Sequence, residues 1–355
     1  MTKIYLIRHA EAEGNIYRRA HGHFNGQIIG KGFAQIEQLR ERFRHEKFDA
    51  VYSSDLARTI ATAAAISETH GLPVKTTDRL REVNVGEWED VAWSEIRHLN
   101  PEMSGLFNSD PARWNVYGSE EYMHVRERMR DCLTDIGRRH ENETVAVFSH
   151  GFATRSLLCE LMDIPSHRTE LVPYCDNTAV ALLHYNNNRI TIEYHGDNSH
   201  LQSENSTFAK QTWWREKKER RSEDLRCVPF EEKQYMDLIR QCFRESQSEK
   251  NVDFRLIATL DDQPVGILGL DTGTDSDYNT GWISHIYIKP ELRRMGLGIQ
   301  LLGHAVSEYR KLRRDKLRME VSADSPAANF CARYGFIRIG VTRTFCLMEK
   351  DIRNW

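Results

Sequence analysis

Two histidines in this chain stand where an apolar run stops. The stretch IYLIRHAEAEGN, residues 4 to 15, sets Arg8 and His9 side by side at the end of a run that reads as a buried strand. The stretch TVAVFSHGFATR, residues 144 to 155, ends its own apolar run on His150 and Gly151. Neutral imidazole can attack phosphorus, and an arginine fork pairs two donors with two phosphate oxygens. Moving a phosphoryl group without a metal takes such a nucleophile, cations on the non-bridging oxygens and an acid for the leaving oxygen. In YSSDLARTIATA, Ser53, Ser54 and Asp55 are residues of the kind that start helices. They place Arg58 in a first turn, where free N–H groups and the helix dipole favour an anion. Glu82, in the glycine-bounded stretch RLREVNVGEW, is the candidate proton donor, and His150 supplies a second imidazole toward the phosphoryl oxygens.

The elements that must hold these residues read as an α/β unit over residues 1–198. KIYLIR, FDAVYSSD, TVAVFS and AVALLHY are strands, separated by helices such as GFAQIEQLRERFRHE, with Phe33, Ile36, Leu39 and Phe43 on one stripe. That alternation predicts a mostly parallel or mixed sheet with helices on both faces and a site beyond the carboxyl ends of its strands, where both histidines lie. Over residues 199–223 the pattern fails. KQTWWREKKERRSEDLR carries seven basic and four acidic residues in 17, so the segment reads as a charged, solvated linker in which Trp213 and Trp214 are the apolar exceptions. A second, α+β pattern occupies residues 224–355, with strands at LRCVPF, FRLIATL, VGILGL, GWISHIYIKP and KLRMEVSA and a helix from about Leu297 to Leu312.

Composition narrows the partners. With 49 basic and 52 acidic residues and a net charge of −3, no global field points to nucleic acid or a membrane surface, which leaves small molecules. The seven cysteines are scattered without a C-x-x-C pair, as expected of reduced thiols in a cytoplasmic protein. His21 and His23 form an H-x-H without a carboxylate or thiol at ligand spacing, so no metal is expected.

The run of motifs LIRHAEAEGN, GKGFAQ, VYSSDLARTIATAAAI, LREVNVGEWED and VAVFSHGFATRSLL resembles, in type and order, the histidine phosphatase superfamily with its phosphoglycerate-mutase-like fold. The resemblance covers about residues 1 to 195 and implies a three-layer α/β/α domain. It further implies a phosphohistidine on His9, a phosphate pocket of Arg8, Arg58 and His150, acid/base work by Glu82 and a further phosphate contact from Asn15. The substrate is then a small phosphate ester, hydrolysed without a metal cofactor.

A second constellation lies in ISHIYIKPELRRMGLGIQLL, where a strand and a proline-bounded turn lead to Arg293, Arg294, Met295, Gly296, Leu297 and Gly298 at the start of a helix. Backbone N–H groups in such a turn converge, and glycines let a diphosphate come close with the helix dipole behind it. The R-x-x-G-x-G spacing after YIKP, followed by SPAANFCARYGF, resembles the GCN5-related N-acetyltransferases, GNAT for short. That resemblance implies acetyl-CoA, its pyrophosphate on the amides of Arg293 to Gly298 and its pantetheine arm along Ile286 to Ile288, with an amine as acceptor. Cys331 stands where that family often has a tyrosine acid, while Tyr334 lies one residue before Gly335 and His285 is a candidate base. The expected protein is a phosphatase fused to an acetyltransferase. The alternatives are a phosphatase carrying an acetyl-CoA-binding module without turnover, and a phosphoglycerate mutase in the first domain.

Overall fold

The structure is a computed structural model that describes residues 1–213, 215, 223–230, 235, 237, 238, 240–242, 254–271, 279–323 and 325–353. The chain divides into two compact units. The first comprises Met1–Asn15, Arg19–Val91 and Glu95–Trp214, and the second Ile16–Arg18, Ala92–Ser94 and Arg215–Trp355.

In the first unit, strands β1 (Thr2–Arg8), β2 (Ala50–Ser54), β3 (Val74–Thr77), β4 (Thr144–Ser149), β5 (Val180–Asn186) and β6 (Arg189–Asp197) form one sheet in the order β3-β2-β4-β1-β5-β6. The first four in that order run parallel, and β5 and β6 each reverse direction against their neighbour. Continuous burial along β2 and β4 fits strands covered on both faces. Tyr5 and Ile7 of β1 pack with Ile36, Leu39 and Phe43 and with Ala63, Ala65 and Ile66, which belong to the segments Gly32–Phe43 and Ala57–His70. Ile4 and Leu6 alternate with them, equally buried, and the helices Tyr122–Arg139 and Gly151–Leu161 lie against the same strand. The stripe expected on the Gly32–Arg42 helix holds except at Phe33, which is 61% exposed, the buried stripe there running through Gly32, Gln35, Ile36 and Leu39.

The segment expected to begin a solvated linker at residue 199 instead packs on this unit through residue 213. Thr207, Phe208 and Thr212 are buried, and Gln35 donates to the Asn205 carbonyl at 2.8 Å. Short polar side chains anchor it, which is why no apolar period marked it in the sequence. Trp213 stacks edge-on to Phe208 and Tyr174 with ring centroids at 5.5 and 5.0 Å. Trp214 and the charged run 216–222 lie outside the described residues.

The second unit is built on a sheet ordered β12-β13-β11-β10-β9-β8-β7. Its strands are β7 (Arg226–Pro229), β8 (Phe254–Leu260), β9 (Gln263–Asp271), β10 (Thr280–Ile288), β11 (Lys316–Ser322), β12 (Ile337–Val341) and β13 (Phe345–Asp351). The helix Leu297–Lys311 buries Leu301, Leu302, Ala305, Val306 and Tyr309, in the span the sequence indicates. Gly281 on β10 is demanded by that packing, since a Cβ there would lie 2.3 Å from the Tyr309 ring. One irregularity stands out. β10 and β11 pair in parallel only from Thr280↔Lys316 to Ile283↔Met319, although both strands continue. Beyond a register shift at residues 283–285, β10 pairs with β9 alone among the described residues.

Candidate active site

Parallel pairing of β1 with β4 sets Arg8 opposite Ser149, and the residue that follows each is a histidine. His9 N–H donates to the Ser149 carbonyl at 3.0 Å, and the two imidazoles come to 5.3 Å between centroids. His9 Nδ1 lies 2.7 Å from the Ala10 carbonyl. A carbonyl only accepts, so Nδ1 carries the proton and Nε2 keeps its lone pair. Burial, reinforced by the positive charges of Arg58 and Arg8, holds His9 well below the usual imidazole range, and the ring is neutral. His150 is likewise held far down by burial and by Arg58. It is fully buried, and neither of its ring nitrogens has a hydrogen-bond partner among the described residues. Such a group is costly unless something else meets it.

Arg58 lies in the first turn of the Ala57–His70 helix, 2% exposed. Its guanidinium donates to the carbonyls of Phe24 at 2.8 Å and Gly22 at 2.7 Å, and burial lowers its pKa to about 10, which leaves it charged at neutral pH. The helix start is capped from a distance, by Asn25 Oδ1 on the Ala57 N–H at 2.8 Å, and Ser54 Oγ accepts from Leu56 N–H at 3.3 Å. Arg8 gives Nη1 to the Cys175 carbonyl at 2.5 Å, and its buried Nε has no partner among the described residues. Gly151 lets it lie close, because a Cβ there would come to 3.2 Å from that Nε.

Glu82 accepts N–H bonds from Phe152 at 3.0 Å and Ala153 at 2.8 Å, so its carboxylate caps the helix Gly151–Leu161 that begins just after His150. Its carboxyl group lies within electrostatic reach of both Arg8 and Arg58. Asn15 turns Oδ1 to the Ala12 N–H at 3.0 Å and to Asn177 Nδ2 at 3.3 Å, so the oxygen of its amide is committed within the protein. The residues Arg8, His9, Arg58, Glu82 and His150 thus come from the carboxyl ends of β1, β2 and β4 and one loop. Together they gather two guanidiniums, two neutral imidazoles and a carboxyl group in one place. His21 and His23 spend their Nε2 atoms on Asp90 at 3.1 Å and on the Glu82 carbonyl at 3.1 Å.

Several supporting residues escaped sequence reasoning. Glu89 accepts from the amides of Gly22, His23, Phe24 and Val85 and so fixes the loop whose carbonyls hold Arg58. Arg128, paired with Glu120 at 2.6 Å, donates to the carbonyls of Arg81 and Glu82. Asn177 ties the His9 carbonyl at 2.9 Å. The pair Asp176 and Asn177 ahead of the apolar run AVALLHY is a usable signal, because β5 runs antiparallel to β1 and starts where β1 ends.

In the second unit, Arg294 at φ +65° and Gly296 at φ +82° wind the turn that starts the Leu297–Lys311 helix. A Cβ on Gly296 would meet nothing within 4 Å, and one on Gly298 would meet only the Phe330 ring, at 3.6 Å. Open space therefore lies over Gly296, within the turn Arg293, Arg294, Met295, Gly296, Leu297 and Gly298 that starts the helix. Arg293 itself turns back, giving Nε to the Ile288 carbonyl at 2.9 Å. Ile286 and Ile288 lie on the part of β10 that has parted from β11. An open cradle for a diphosphate beside a strand edge able to pair with an amide-bearing arm fits acetyl-CoA. Cys331 is wholly buried with Sγ 3.4 Å from Met319 Sδ, and burial pushes its thiol up to about 12. Tyr334 packs edge-on to Phe330 at 5.0 Å, and His285 is buried on β10.

Comparison with known proteins agrees with both readings of the fold. Residues 4–198 match the histidine phosphatase superfamily (branch 1), and residues 212–336 match the acetyltransferase (GNAT) family. The chain is 31% identical over 192 residues to phosphoserine phosphatase 1 of Hydrogenobacter thermophilus, covering 54% of this chain and 90% of that protein. It is 31% identical over 206 residues to the metal-independent phosphoserine phosphatase of Arabidopsis thaliana, covering 57% of this chain and 84% of that one. Among solved structures, YhfR of Bacillus stearothermophilus superposes with a TM-score of 0.55 at 28% identity, covering 57% of this chain and all of YhfR (100%). The chain belongs to the histidine phosphatase superfamily, branch 1, and carries in the same polypeptide a domain of the GNAT acetyltransferase family.

Proposed function

We propose that the first unit hydrolyses phosphomonoesters through a phosphohistidine on His9, and that the second binds acetyl-CoA and acetylates an amine. The observation that carries the first part is the fixed tautomer of His9, proton on Nδ1 and lone pair on Nε2, beside the unpartnered His150 ring. His9 Nε2 attacks phosphorus as the ester P–O bond breaks, and Glu82 supplies the proton to the leaving oxygen. Water then returns a proton to Glu82 and attacks the phosphoryl group, the P–N bond breaks, and phosphate leaves. Arg8, Arg58, His150 and the Asn15 amide hold the non-bridging oxygens throughout. In the second unit the amides from Arg293 to Gly298 would hold the diphosphate of acetyl-CoA, with the arm along Ile286 and Ile288; when bound, acetyl-CoA supplies an activated thioester.

The names of two relatives at 31% identity make phosphoserine the first ester to test. Phosphoserine carries an amine beside its phosphate, so one metabolite could serve both units. A second reading, a binding module without turnover, draws on Cys331, whose buried thiol offers no acid for a leaving thiolate. Another relative, a probable phosphoglycerate mutase of Proteus mirabilis at 30% identity, makes 3-phosphoglycerate isomerisation a necessary control.

One assay separates these readings. Phosphoserine hydrolysis is expected to persist in excess chelator, and thiol release from acetyl-CoA is expected only when an amine is added. Loss of hydrolysis with chelator contradicts the first part; tight CoA binding without amine-dependent thiol release transfers the second unit to the module reading.

A further inference from the structure

The family match stops at residue 198, yet the chain continues over the same unit to residue 213. Three of its residues end on side chains that adjoin the proposed phosphate pocket. Asp176 accepts the amides of Thr207 at 3.2 Å and Phe208 at 3.4 Å and the Ser206 hydroxyl at 2.5 Å. On either side of Asp176, the Cys175 carbonyl holds Arg8 and Asn177 holds the His9 carbonyl. Glu11, two residues past His9, is buried and takes the Thr207 hydroxyl at 2.9 Å, while Gln35 joins its own Nε2 to Thr207 Oγ1 at 3.1 Å and its Oε1 to the Glu11 N–H at 2.7 Å. Gln211 Nε2 reaches the Asn15 carbonyl at 3.3 Å. The Phe208 ring, 7% exposed, lies with its centroid 5.7 Å from the Arg8 guanidinium carbon.

We infer that residues 205–213 form a strap that positions the phosphate-binding arginine, with Thr207 and Phe208 as its positioning residues. The ring of Phe208 stabilises the cation that lies against it, and the Cys175 carbonyl takes Nη1. The guanidinium is thereby restrained with its unpartnered Nε left for an incoming anion. Thr207 ties the same strap to Glu11 and so to the loop that follows His9. The strap's role rests on the phosphoryl-transfer reading of this site. Because Arg8 would grip the phosphoryl group in ground and transition states alike, slackening it raises KM and leaves kcat nearly unchanged.

The test uses the full chain. Phe208→Ala removes the ring, Phe208→Leu keeps bulk without the ring's quadrupole, Thr207→Val removes the hydroxyl, and Phe33→Ala on the exposed surface is the control. The inhibition constant of inorganic phosphate and the KM for an aryl phosphate are expected to rise together, about fivefold in Phe208→Ala and Thr207→Val and about twofold to threefold in Phe208→Leu. Folding is read by near-ultraviolet circular dichroism. Should Phe208→Ala fail to fold, Phe208→Leu decides. Unchanged phosphate inhibition in folded variants, or a fall in kcat with KM unchanged, overturns the strap. If the wild-type chain hydrolyses no ester, the catalytic reading has failed on its own, and calorimetry of inorganic phosphate on the same variants still decides whether Phe208 positions an anion site.

Discussion

His9→Ala is expected to lower phosphomonoester hydrolysis by roughly 10⁴-fold or more, the scale of losing a covalent nucleophile. No neighbour substitutes for it: His150 lies 5.3 Å away between ring centroids, on the adjacent strand's end, and Arg8 and Arg58 are cations. The fold is expected to survive, because the ring makes one internal hydrogen bond, to the carbonyl of the next residue. A sign follows from its depressed pKa. The unfolded chain protonates this histidine below about pH 6.5 while the folded chain resists, so wild type loses stability as pH falls from there toward the folded value. Without His9 that loss is smaller, and the melting temperature of the variant should fall less steeply on the acid side. Wild-type turnover in a folded His9→Ala protein removes the assignment.

Gly296→Val is expected to weaken CoA binding by more than about tenfold, or about 1.4 kcal/mol. The missing Cβ of Gly296 faces space with no atom within 4 Å, directly at the start of the Leu297–Lys311 helix, where a diphosphate would need close approach to the amides. The residue sits at φ +82°, so a branched side chain also strains the turn by about 1–2 kcal/mol. That strain is read as a lower melting temperature, separately from the affinity. Calorimetry on the folded variant gives the answer, and an unchanged affinity contradicts the cradle.

The first unit was legible because its candidate site lies where its local patterns end. Apolar runs mark β1 and β4, and the polar residues that break them are His9 and His150. Arg58 could be placed because helix-starting residues precede it, although the actual cap comes from Asn25, 32 residues upstream of Ala57. The strap was not legible. Its anchors, Ser206 and Thr207, are short polar residues whose partners Asp176, Glu11 and Gln35 lie far away in sequence, and a charge run follows it closely, so composition pointed to solvent. Glu89 and Arg128 escaped for the same reason: each binds several main-chain groups of distant loops, an arrangement that leaves no period. In the second unit the strands and the glycine turn were readable, while the parting of β10 from β11 was not, since beyond the last paired residues β11 still alternates and β10 still ends in the apolar run Ile286, Tyr287 and Ile288.

The most direct test of the central claim is the stereochemistry at phosphorus. A phosphate ester made chiral with oxygen isotopes is hydrolysed by the full chain, or transferred to an acceptor alcohol, and the configuration of the product is read. Transfer to His9 and then to water or alcohol is two in-line displacements, each inverting the centre, so the account predicts net retention. Net inversion would mean that water attacks the ester directly, and His9 would then carry no phosphoryl group.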